Sequence, residues 1–117
     1  VVEDENLIRE SILEILNTRG FTAIGAEDGL RGLQLAKEFV PDLILCDIRM
    51  PGLDGYEVLT ALRQDPLTAN IPLIFITAET IQTVVSKGEG LGANGYLNKP
   101  FTTAKLLEAI NLEQGDR

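Results

Sequence analysis

Four polar clusters carry residue types able to do chemistry: Glu3-Asp4-Glu5, Asp47, Thr77 and Lys99-Pro100. Each comes just after an apolar stretch: Val1-Val2, Leu43 to Cys46, Leu73 to Ile76, and Tyr96-Leu97. Carboxylates gathered at one point repel unless a cation joins them. Oxygen donors with no histidine or cysteine among them suit a hard ion, Mg2+ or Mn2+. Mg2+ beside a carboxylate neutralises an incoming phosphoryl group and aligns it for in-line attack. An aspartate oxygen is a competent nucleophile for that transfer and gives an acyl phosphate. A hydroxyl and a lysine nearby, such as Thr77 and Lys99, suit the remaining phosphoryl oxygens. The set is complete for making an aspartyl phosphate.

These residues are far apart in sequence, so the fold must bring them together. Asn6 to Arg19 places Leu7, Ile8, Ile12, Ile15 and Leu16 at helical spacing, and Gly20 stops the helix. Phe21 to Ala26 is predicted to be a strand. Leu30, Leu33 and Ala36 belong to a second helix that ends before Pro41. Leu43 to Cys46 is continuously apolar, as a strand buried on both faces should be. Tyr56 to Arg63 is helical, and Leu73 to Ile76 is a further buried strand. Thr80 to about Lys87 is helical, with Gly88, Gly90 and Gly92 weakening its end. Tyr96 and Leu97 form a short strand, and Thr102 caps a last helix containing Leu106, Leu107 and Ile110. Alternating strands and helices imply a parallel sheet with helices on both faces. Ligands of such sheets bind beyond the carboxyl ends of the strands, where all four clusters fall. Only Val1 and Val2 precede the first acidic cluster, so the first strand is expected to be truncated at its N-terminal end.

The chain of 117 residues is read as one domain, 1–117. A net charge of -8 argues against nucleic-acid binding by this domain alone. No apolar run is long enough to cross a membrane. The lone Cys46 has no partner in the chain, which suits a reducing, cytoplasmic location.

The chain resembles the response regulator receiver domains of two-component systems, those similar to chemotaxis regulators, across nearly its whole length. The matching stretches are Val2-Glu3-Asp4-Glu5, Asp47-Ile48-Arg49-Met50-Pro51-Gly52-Leu53-Asp54-Gly55, Ile76-Thr77-Ala78 and Gly92-Ala93-Asn94-Gly95-Tyr96-Leu97-Asn98-Lys99-Pro100-Phe101. The resemblance implies a flavodoxin-like, doubly wound sheet of five parallel strands in the order 2-1-3-4-5. It implies that Asp47 is the phosphoacceptor and that Thr77 and Lys99 bind the phosphoryl oxygens. Asp4 and Asp47 would hold Mg2+ directly with the backbone carbonyl of Arg49, and Glu3 would act mainly through water. Tyr96 would be an aromatic switch, and the Lys99–Pro100 bond would be cis. The phosphodonor would be a sensor histidine kinase or phosphotransfer protein. The face of the fourth helix, fifth strand and fifth helix would carry the output, with a homodimer through that face plausible.

Departures from the family pattern also matter. Glu3-Asp4 stands where many relatives have two aspartates. Arg49 and Glu79, two residues beyond the expected phosphoacceptor and hydroxyl, border the site at positions that tune how water reaches the phosphoryl group; a pairing of their charges over the mouth leaves the lifetime of the phosphorylated form open. Plainer readings apply elsewhere: Glu5, Asp28, Asp42 and Asp54 are expected to be caps or solvated loop charges. A haloacid-dehalogenase-like phosphatase would need a second aspartate where Arg49 stands. A flavodoxin-like cofactor binder would need a hydroxyl-rich phosphate loop in place of Glu3-Asp4-Glu5. A docking module without phosphotransfer would not need Asp4, Asp47, Thr77 and Lys99 together.

Overall fold

The computed structural model describes residues 1–114. Three strands form a continuous parallel ladder in the order β1 (Ile44–Asp47), β2 (Leu73–Thr77) and β3 (Gly95–Asn98). β1 and β2 are buried at every residue, which is why Ile-Leu-Cys-Asp and Leu-Ile-Phe-Ile-Thr do not alternate with polar residues. The register sets Asp47 beside Ile76, and Thr77 beside Asn98. The phosphoacceptor candidate, the hydroxyl and the lysine loop therefore leave the sheet at one edge.

The other two expected strands are reduced to isolated bridges. Val2 pairs in parallel with Ala26 on one side and Cys46 on the other. The spatial order is thus Ala26, Val2, β1, β2, β3, which is the expected 2-1-3-4-5 order with a ladder of three strands rather than five. The expectation of a strand over Phe21 to Ala26 is corrected to a single bridged residue. Regular pairing needs the backbone groups of successive residues to meet a neighbour, and in this segment Ala26 is the residue whose N–H and C=O both do. Ala26 N–H donates to Val1 O at 2.8 Å, and Glu3 N–H to Ala26 O at 3.0 Å.

Among the described residues five helices cover the sheet: α1 (Asn6–Thr18), α2 (Gly29–Phe39), α3 (Gly55–Gln64), α4 (Ile81–Leu91) and α5 (Thr103–Gln114). One apolar cluster joins Val2, Cys46 and Phe75 of the sheet region to Ala36 of α2, Leu59 of α3 and Val84 of α4. The second joins Leu45, Ile74 and Ile76 to Ile12 and Leu16 of α1 and to Leu106 and Ile110 of α5. The sheet is therefore covered on both faces, by three helices and by two.

Local chemistry sets the helix ends. Asp28 Oδ1 accepts the Arg31 N–H at 2.8 Å, and Thr102 Oγ1 accepts the Lys105 N–H at 3.1 Å. Asp54 and Glu57 satisfy each other's backbone N–H groups at 2.9 and 3.0 Å, a reciprocal cap on α3. α4 runs further than its glycines suggested. A glycine costs only about 1 kcal/mol in a helix, and the helix continues until Gly92 turns left-handed at φ 93°. There Arg63, from the last turn of α3, donates to the Gly92 carbonyl through Nε and Nη2 at 3.3 and 3.0 Å. The same guanidinium reaches Ile71 O at 2.8 Å and Asn94 Oδ1 at 3.0 Å. No described helix is long and apolar enough to cross a membrane.

Candidate functional site

β1 delivers Asp47 to the sheet edge almost wholly buried, at 6% exposure. Its Oδ1 accepts the Ile48 N–H at 2.9 Å, which fixes the carboxylate's orientation. Glu3 follows the bridged Val2 and has no exposed surface. Its Oε2 accepts the Glu5 N–H at 3.2 Å. Lys99, just past β3, brings Nζ to 2.8 Å from Glu3 Oε1 and 3.4 Å from Asp47 Oδ1. The Lys99–Pro100 peptide is cis, as the resemblance implied. Lys99 N–H also donates to Thr77 O at 2.7 Å, holding the lysine loop against the end of β2.

Glu3, Asp4 and Asp47 each offer a carboxylate oxygen within 4.8 Å of the others, a group able to hold a cation. Glu3 Oε1 is buried and lacks a hydrogen-bond partner; Lys99 approaches it as a charge rather than along a hydrogen-bond direction. All donors are oxygens. These observations fit a hard divalent ion such as Mg2+. Glu3, expected to meet an ion through water, has Lys99 as a direct ionic partner as well.

Electrostatics reflect this crowding. Burial, then the Glu3 charge, push Asp47 up to about 7 against the pull of Lys99. Burial works against the Lys99 charge, but the Glu3 and Asp47 carboxylates outweigh it and raise Lys99 above its ordinary value. Burial drives the Cys46 thiol far upward, so it is a neutral core residue.

Thr77 ends β2 with its Oγ1 accepting the Glu79 N–H at 2.9 Å. Arg49 pairs with Glu79 over the mouth, Nε to Oε1 at 2.7 Å and Nη2 to Oε2 at 3.1 Å. Hydrogen bonding from Arg49 holds Glu79 below the usual carboxylate range. Tyr96 lies on β3 beside Phe75, ring centroids 6.3 Å apart, and its hydroxyl donates to Val85 O of α4 at 3.4 Å. Asp47, the acids and Lys99 thus meet at the carboxyl end of the sheet, with Thr77 ending the neighbouring β2 and Tyr96 on the strand beyond.

Three supporting residues escaped the sequence reading. Arg9 Nη1 donates to Glu3 O at 2.8 Å and steadies the acidic turn. Asn98 Nδ2 donates to Glu79 O at 2.8 Å and reaches Thr77 O at 3.3 Å. Gly55 lies so close to β1 that a Cβ there would stand 2.5 Å from Asp47 O. Gly55 and Asn98 lie in the matching stretches, which offered a signal without a role, and Arg9 offered none.

Known proteins are similar to this chain in sequence and in backbone. The sequence matches the family described as response regulator receiver domain over residues 1–111. The "Probable transcriptional regulator ycf29" of Pyropia yezoensis is 40% identical over 95% of this chain and 50% of its own. The chain therefore spans about half the length of that relative. Protein PilH of Pseudomonas aeruginosa is 35% identical over 95% of this chain and 92% of its own. The solved chemotaxis response regulator CheY4 of Vibrio cholerae superposes with a TM-score of 0.91 at 30% identity, covering 96% of this chain and 93% of that one. The chain belongs to the response regulator receiver domain family.

Proposed function

We propose that this receiver is a signalling switch set by phosphorylation of Asp47. The observation that carries the reading is the convergence of Glu3, Asp4 and Lys99 on a nearly buried Asp47 at the carboxyl end of β1. The phosphodonor is a sensor histidine kinase or phosphotransfer protein. Asp4, Asp47 and the Arg49 backbone carbonyl would hold Mg2+ or Mn2+, and Glu3 would act mainly through water. When bound, the ion neutralises charge on the transferring phosphoryl group.

The chain's own residues do the rest. An Asp47 oxygen forms the new O–P bond in line as the P–N bond to the donor imidazole breaks. Lys99, already 3.4 Å from Asp47, meets the phosphoryl oxygens. Thr77 turns its hydroxyl to donate to another of them. Its displacement shifts the turn leading to α4, and Tyr96, bonded to Val85 of α4, turns inward. The face of α4, β3 and α5 then engages a partner or a second copy of the chain. The receiver acts on no external substrate beyond its donor; it catalyses its own phosphorylation and dephosphorylation. The rival phosphatase reading is disfavoured because the place of its general acid holds Arg49, which is engaged by Glu79.

Phosphoramidate with Mg2+ is expected to add one phosphoryl mass to the wild-type chain and none to Asp47→Asn. An Asn variant that gains mass at the wild-type rate would move the site elsewhere.

A further inference from the structure

The loops after β1 and β2 are joined across the mouth of the site by two side chains to which the switch above assigns no role. Arg49 and Glu79, thirty positions apart, make a two-pronged ion pair at 2.7 and 3.1 Å. Glu79 is also part of the turn that positions Thr77. Its N–H donates to Thr77 Oγ1 at 2.9 Å, and its carbonyl accepts from Asn98 Nδ2 at 2.8 Å. Of these ties, Arg49 alone comes from the phosphoacceptor's own loop. The phosphoryl group on Asp47, two residues from Arg49, carries about -1.5 to -2 charges in place of the single carboxylate charge. Guanidinium groups grip phosphate oxygens with the same fork they use for carboxylates. The phosphoryl group therefore competes with Glu79 for one cation.

We propose that the Arg49–Glu79 pair is a latch on the Thr77 turn, opened when Arg49 transfers from Glu79 to the phosphoryl group on Asp47. This rests on Asp47 being the phosphoacceptor. The latch holds the turn in its unphosphorylated position, and its release couples the new charge to the movement of Thr77. Arg49 is 70% exposed, so the pair biases the turn rather than locking it. An exposed pair corresponds to a bias of about two- to fivefold.

Amide hydrogen exchange over Thr77 to Val85 tests the latch, using Mg2+ and phosphoramidate and counting phosphoryl groups by intact mass. Before phosphorylation, Glu79→Gln and Arg49→Gln are each expected to speed exchange by about two- to fivefold. The double variant should go no further than either single change, because both remove one interaction. After phosphorylation, Glu79→Gln should match the phosphorylated wild type, since the pair is already open there. Unchanged exchange in unphosphorylated Glu79→Gln overturns the latch. So does an additive double variant, and so does an equal effect of Glu79→Gln after phosphorylation. A wild-type chain that gains no phosphoryl mass would instead overturn the phosphoacceptor reading on which the latch stands.

Discussion

At Asp47, burial and the Glu3 charge oppose ionisation while Lys99 favours it, and the balance settles at about 7. The folded value is raised above the ordinary carboxylate range, so folding takes up a proton. The group's contribution is fully present below about pH 4 and is lost progressively as pH rises through about 7. Metal-free Asp47→Asn lacks this group, so above pH 7 it is expected to be more stable than wild type by up to roughly 4 kcal/mol, less what Lys99 loses with its partner. The gap should close toward pH 4. Urea denaturation in EDTA across that range is the check, and parallel profiles would show that Asp47 carries no such penalty. The sequence made Asp47 legible because it ends an unbroken apolar run. It could not show that Glu3 is wholly buried against Lys99. That pairing joins residues 96 positions apart, and only the finished sheet brings them together.

Among the elements, the contact between α3 and β1 is the most exacting. A Cβ on Gly55 would meet Asp47 O at 2.5 Å and Ile48 Cα at 2.8 Å, both of them backbone atoms. Gly55→Ala is therefore expected to cost about 1–3 kcal/mol, as other overpacked sites do. It should also slow phosphorylation by small donors, because the strained carbonyl is Asp47's own. Unaltered urea stability would mean that α3 moves aside freely. Helix starts were readable because Asp28, Asp54 and Thr102 satisfy backbone groups within three residues of themselves. The segment from Phe21 to Ala26 was misread because strand pairing depends on a distant neighbour. Its local pattern contains no record of where that neighbour's backbone groups lie.

Across the whole molecule, net charge is -8 and three carboxylates meet at a single point. Mg2+ should relieve that repulsion and stabilise the fold by mass action, by about 1.4 kcal/mol at ten times its dissociation constant. For a domain of this size that is roughly 4–8 °C in Tm. Thermal scans with Mg2+ and then EDTA should show this shift in wild type and lose most of it in Asp4→Ala. An equal shift in Asp4→Ala would place the ion elsewhere. A different property follows from Arg63, which grips Gly92 at the far end of α4 while the near end hangs from the Thr77 turn. Such a helix has a pivot at one end and a handle at the other. Eleven residues at 1.5 Å each make a lever of about 16 Å. A pull of about 1 Å on the handle would tilt that lever by about 4°, a swing of its outer face through an arc in place of a slide along the sheet.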